Sequence, residues 1–199
     1  MLLLVWRLDY STPPPRHLLR DGYTDGTVDE ESRIEIVNAL QRGEKALLAA
    51  LEGITEELAL KRAAQERWST LECVEHLALA EDYLRSRILQ AEHAGSPVVN
   101  KRREAAILAR GADRTRPLVS PEAVRPTGRF ASLSDALRYF LDSRAETIRY
   151  VENCSGDLRS MVTTHPLLGS VNCQETLLLI AVHPERHARQ IDEIRAALA

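Results

Sequence analysis

"LLLIAVHPERHARQIDEIR", residues 177–195, decides how the C-terminal part of the chain folds. At helical spacing, Leu179, His183, His187, Ile191, Ile194 and Leu198 share one face. Pro184 stands between the two histidines. It has no N–H for the Ile180 carbonyl, and its ring crowds that carbonyl. Either the helix continues with a kink at 180–184, its freed carbonyl taken by water, or it restarts at Pro184 with His183 as its cap. The first keeps both imidazoles on one inward face; the second turns His183 away. "TLLLIAVH" (176–183) is a strong helical lead-in, so the continuous, kinked helix is expected.

An i, i+4 pair sits about 6 Å apart at Cβ, close enough for two imidazoles to reach one divalent ion at ~2.0–2.1 Å each. The motif is not HExxH, since position 184 is proline and Glu185 turns to the far side of the helix. A thermolysin-type base is therefore absent. His76 lies on the inner stripe of another helix, between Cys73 and Ala80. Facing helices are where bundles build metal sites, and three imidazoles with one open position suit a catalytic zinc. Nickel, iron and copper also accept imidazole. From spacing alone, buried structural histidines remain the other reading.

Working outward, helix two begins at "WSTLE" (68–72), a capping box of Ser69 and Glu72, with Trp68 placed to staple against Cys73. Its stripe runs Cys73, Leu77, Ala80, Leu84, Ile88 and stops at Gly95, Ser96 and Pro97. Helix one spans about 29–60, with Val37, Leu40, Leu47, Leu51, Ile54 and Leu58 at alternating steps and Glu44 filling a gap. Helix three starts near Ser132, with Leu133, Leu137, Phe140, Ile148 and Val151 interrupted by Arg144, and ends at "NCSGD" (153–157). Asn172 caps helix four, with Glu175 three residues on. Residues 94–131 hold four prolines and one short helical candidate, "KRREAAILARG" (101–111). Residues 101–130 carry eight Lys/Arg against three Asp/Glu, a basic crossover. The fold class is therefore all-α: a four-helix bundle with a long crossover between helices two and three. Residues 1–28, with "STPPPRHLLRDGYTDGT" at 11–27, form an irregular N-terminal extension to a single domain at 29–199.

The bulk numbers set limits. The 199 residues are 44% hydrophobic and 28% charged, with a net charge of -3. Nothing global points to nucleic acid or to an anionic membrane. The longest apolar run, "LLLIAV" at 177–182, is far short of a membrane span. "MLLLVW" at 1–6 lacks the basic flank of a signal peptide. Three cysteines without a CxxC fit a reducing, cytoplasmic setting.

"WSTLECVEHLALAEDYL" (68–84) and "LLLIAVHPERHARQIDEIR" (177–195) together resemble the DinB/YfiT-like family. The first resembles its second-helix signature and the second its fourth-helix histidine pair followed by "QI". The resemblance covers roughly 30–199. It implies a four-helix bundle with a divalent ion, zinc or nickel, held by His76, His183 and His187, and a homodimer. It also implies an enzyme: a low-molecular-weight-thiol S-transferase using bacillithiol, mycothiol or glutathione on an electrophilic substrate, or a metal-dependent hydrolase. A non-catalytic stress-response or binding module, with the metal structural or absent, is the alternative.

Other residues carry weaker signals. Gln190, one turn beyond His187, is placed to orient a ligand or substrate, or is a polar edge. Glu44 and Arg144 either pair with each other or sit at a pocket mouth. Glu75 and Glu81 read as solvated helix surface. His17, His93 and His165 lie in loops or beside prolines. Cys73 reads as a small core residue, with a thiolate ligand as the rival. The basic crossover either closes over the site, attracting an anionic thiol, or is a solvated loop.

Overall fold

The computed structural model describes residues 30–115, 118–165 and 168–199. The expected N-terminal extension, with His17, lies outside the described residues. Among the described residues, six α-helices and three short strands follow in the order α1 (Glu30–Leu51), α2 (Glu56–Leu60), α3 (Thr70–Leu89), β1 (Glu92–His93), α4 (Lys101–Arg110), α5 (Leu133–Asn153), β2 (Met161–His165), β3 (Gly169–Asn172) and α6 (Cys173–Leu198). The four long helices form the bundle: α1 lies against α6 and α5, and α3 against α5 and α6. The crossover between α3 and α5 carries α4 and a 3-10 turn at Glu122–Val124.

Local chemistry sets most of the helix ends. Ser69 and Glu72 form the expected reciprocal cap of α3, and Asn172 and Glu175 do the same for α6. Ser132 accepts from Asp135 N at the start of α5. Helix one is shorter than its periodicity suggested. It ends at Leu51, because Gly53 takes a left-handed φ of 76° and closes the helix as a glycine does best. Thr55 then caps the separate α2, so Ile54 and Leu58 do not extend the stripe of α1.

The small sheet is a second departure. Its strands pair antiparallel in the order β1-β2-β3, with Val162 opposite both Glu92 and Asn172. Strands of two to five residues are too short to print a readable alternation. The sheet ties the start of the crossover to the turn that launches α6.

Pro184 lies inside an unbroken α6, so the helix does not restart there. The Ile180 carbonyl that lacks a proline donor does not depend on water: Arg144 Nη2 donates to it at 3.2 Å. Arg144 is fully buried and also donates to Leu40 O at 2.7 Å and to both oxygens of Glu81 at 2.8 and 2.7 Å. Thus Arg144 pairs with Glu81 and not Glu44, and Glu81 is buried, not solvated. A single guanidinium links α1, α3, α5 and α6 at the level of the proline. Close packing there needs Gly43: a Cβ on it would stand 2.1 Å from the Ala181 carbonyl oxygen.

Two apolar clusters fill the bundle. One takes Ile180, Ala181 and Val182 from α6 with Ile36 and Leu40 of α1. The other takes Ala188, Ile191 and Ile194 with Leu47, Val74 and Leu77. Residues 183–187 fall in the break between them.

Candidate metal centre

That break holds the histidines. His183 Nε2 stands 3.2 Å from His76 Nε2 and 3.1 Å from His187 Nε2. Two nitrogens at ~2.0–2.1 Å from one ion, at a tetrahedral angle, lie about 3.3–3.4 Å apart. The observed spacing is close to that of a shared ion. His76 and His187 are buried, each 5% exposed, and His183 is half-buried. Among the described residues no cysteine or carboxylate joins the group.

Hydrogen bonding fixes one tautomer. His76 Nδ1 is 2.6 Å from the carbonyl oxygen of Val124. A carbonyl only accepts, so Nδ1 carries the proton and Nε2 of the neutral ring presents a lone pair inward. Without an ion, one proton on His183 Nε2 would have to serve both neighbours. An ion serves all three lone pairs at once, so the donor set fits a divalent metal. A metal-bound histidine ordinarily has its far nitrogen held by such an acceptor; His187 Nδ1, by contrast, is buried without a partner among the described residues.

Electrostatics favour the neutral, ligand-ready rings. Burial pushes all three pKa values below the usual histidine value. For His183 and His187 the neighbouring imidazoles and Arg186 add to that push. The indole of Trp68 covers one side, 4.9 Å from the His76 ring and 6.2 Å from that of His187 between centroids. Trp68 also packs on the apolar cluster that contains Cys73.

A family model described as the DinB superfamily matches residues 39–191. The chain belongs to the DinB superfamily. Among solved structures, YfiT from Bacillus subtilis matches with a TM-score of 0.54 at 15% identity, over 89% of this chain and 94% of that one. That protein is described as "a probable metal-dependent hydrolase with an unusual four-helix bundle topology". At this identity the likeness speaks for the shared fold. No curated protein matches the sequence.

The remaining candidates of this DinB superfamily chain stand outside the histidine group. Gln190 is half-buried, and its Oε1 accepts from Arg114 Nη1 at 3.0 Å. Glu44 is half-buried and outside the histidine group. Cys73 is fully buried, and desolvation raises its thiol pKa far above the ordinary value; it is core. His93 is exposed in β1. His165 ends β2, half-buried, with its pKa pushed down by burial to about 4. Two arginines of the basic crossover are tied to carboxylates of α6. Arg103 pairs with Glu175, and Arg114 meets both oxygens of Glu193 at 2.8 Å.

Three contributors escaped the sequence reading. Val124 acts through its backbone carbonyl, which no side-chain pattern can signal. Trp68 is placed by sequence to staple α3, and its position beside the His76 and His187 rings follows from where α6 packs. Glu75, which the sequence places on a solvated helix surface, is 1% exposed. The unbroken buried run from Cys73 to Ala78 shows why: α3 is covered nearly all round, and the apolar residues flanking Glu75 were the available signal.

Proposed function

We propose that this chain is a metal-dependent enzyme that activates a low-molecular-weight thiol for transfer to an electrophilic substrate. One observation carries the reading: three imidazole nitrogens converge on one point, and no fourth protein donor joins them among the described residues. His76, His183 and His187 would hold the ion, with zinc or nickel matching the imidazole donors. When bound, the ion supplies Lewis acidity, lowering the pKa of a thiol or water at the open position.

The thiol is favoured over water because it asks less of the protein. Hydrolysis calls for a general base beside the site. Neither buried carboxylate of α3 joins the histidine group among the described residues: Glu81 is bound through both oxygens by Arg144, and Glu75 turns its Oε1 to backbone N–H groups of the crossover. In the transfer, the thiol proton goes to solvent, sulfur forms its bond to the electrophilic carbon, and the leaving group departs with the electron pair. Gln190, its oxygen anchored by Arg114, offers its amide N–H groups to orient the bound thiol. Trp68 shields one side of the site. The same reading expects a cytoplasmic homodimer that engages neither nucleic acid nor membrane; among the described residues no helix is long and apolar enough to cross a membrane.

Metal analysis of the purified protein, with His183→Ala beside it, tests the site: about one divalent ion per chain, lost in the variant, supports it. Thermal shift against bacillithiol, mycothiol and glutathione, with and without chelator, tests the nucleophile. At a hundredfold excess over Kd a bound thiol adds about 2.7 kcal/mol of stability. Stabilisation by one thiol only in the metal-loaded protein supports the transferase reading. Metal-dependent hydrolysis of an ester or amide without thiol binding replaces it with hydrolase. Bound metal with neither makes the ion structural, and no metal at all overturns the reading.

A further inference from the structure

The residue before His76 binds the crossover instead of joining the histidine group. Glu75 is 1% exposed and points across to the crossover. Its Oε1 accepts from Thr127 N at 2.7 Å, from Thr127 Oγ1 at 3.4 Å and from Arg129 N at 3.1 Å. The residue between those two N–H groups is Gly128, with φ at +76°. A left-handed residue at that point aims the flanking N–H groups toward one side, making a small backbone receptor for an anion. An L side chain at Gly128 would strain that geometry. The Glu75 carboxylate fills the receptor.

Three residues upstream of Thr127, the same strand of crossover presents the Val124 carbonyl to His76 Nδ1 at 2.6 Å. Consecutive residues of α3 therefore grip one short piece of chain from opposite chemical sides: Glu75 accepts from it, and His76 donates to it. Between Val124 and Thr127 lie Arg125 and Pro126, and proline has its φ fixed by its ring. Little slack separates the two grips.

We propose that Glu75 is a positioning residue for the metal centre: by holding Thr127–Arg129, it fixes the Val124 carbonyl and so commits His76 to the tautomer with Nδ1 protonated and Nε2 bare toward His183 and His187. The inference rests on the metal-site reading above, but its direct consequence belongs to the metal-free protein. A neutral imidazole has two tautomers of similar energy in water. The acceptor at Nδ1 selects one of them, and the clamp at Glu75 keeps that acceptor in place. The inner nitrogen of His76 is then a lone pair before any ion arrives.

Nitrogen-15 NMR of the metal-free protein reads this directly, since protonated and bare imidazole nitrogens differ widely in shift. The His76 signals are assigned by their loss in His76→Asn. In the wild type, His76 is expected as pure Nδ1–H. In Glu75→Ala, and in Glu75→Asp, which keeps the carboxyl group but is one methylene short, a mixture with the Nε2–H form is expected. Glu75→Gln, whose amide oxygen can accept the same two N–H groups, is expected to restore the wild-type pattern. A merely structural role would lower stability in all three variants without selecting the tautomer. Where the protein binds a divalent ion, Glu75→Ala weakens that binding by roughly 10–100-fold, the usual effect of removing a group that orients a ligand. The inference is overturned if His76 in the wild type is not Nδ1–H. It is equally overturned if His76 stays Nδ1–H in both Glu75→Ala and Glu75→Asp, or if Glu75→Gln behaves like Glu75→Ala. Failure of the metal reading is seen separately, as an absence of bound ion, and leaves the tautomer result standing.

Discussion

Arg144→Met is the most informative single perturbation of the bundle. In the wild type the guanidinium makes two bonds to Glu81, one to Leu40 O and one to Ile180 O, all buried. Leu40 lies inside α1, where its carbonyl keeps a helical donor four residues on. The Ile180 carbonyl has no such recourse, because position 184 is proline. The variant therefore strands one buried carboxylate and one buried carbonyl. Breaking a buried ion pair from one side costs about 3–5 kcal/mol, and an orphaned carbonyl adds about 1–3 kcal/mol. The first figure alone predicts a fall in Tm of roughly 6–20 °C for a domain of this size. Adding Glu81→Met should recover much of the loss, since it removes the stranded charge. Pro184→Ala gives the second test. It returns an N–H to the Ile180 carbonyl, so it should stabilise Arg144→Met by about 1 kcal/mol more than it stabilises the wild type. Urea unfolding followed by circular dichroism measures all the variants in one cycle. A loss under about 1 kcal/mol for Arg144→Met, far below the cost of a broken buried pair, would refute the argument. So would a Pro184→Ala effect that is equal in both backgrounds.

Three further outcomes follow from the same geometry. Gly43→Ala should destabilise by about 1–3 kcal/mol through overpacking, because its Cβ would meet backbone at 2.1 Å; a thermal melt unchanged by the substitution contradicts the close approach of α1 to α6. His165 titrates near 4 in the fold because of burial, below its unfolded value of about 6.5. The unfolded chain then binds more protons between those values, so stability falls as pH drops from about 6.5 toward 4 and levels off below it. His165→Asn should flatten that part of the curve, and an unchanged slope would count against the burial of that ring. The Trp68 indole, 4.9 Å from the His76 ring, should lose fluorescence when nickel or copper is titrated in; the same loss in Trp68→Phe would show that the response arises elsewhere.

Much of this protein was legible in its residues. The caps at Ser69 and Asn172 and the apolar stripes of α3, α5 and α6 are local rules, written within a turn or two of chain. His183 and His187 were a pair by spacing alone, because helical pitch fixes the face on which residues four apart lie. Where the reading overran, at Ile54 and Leu58, the stripe continued past a glycine whose left-handed backbone ended the helix.

What the tertiary structure decided are the pairings between segments far apart in sequence. Arg144 found Glu81 and the Ile180 carbonyl, so the proline in α6 is accommodated by a side chain from α5. Glu75 and Glu81 are buried because α5, α6 and the crossover close over a helix whose carboxylates looked solvent-facing by position. His76 joins the pair on α6 only because α3 packs beside it, and its tautomer depends on a carbonyl 48 residues away. Local periodicity fixes which way a side chain faces on its own helix. The partner it meets is set by the packing of whole helices, and that information is spread along the entire chain.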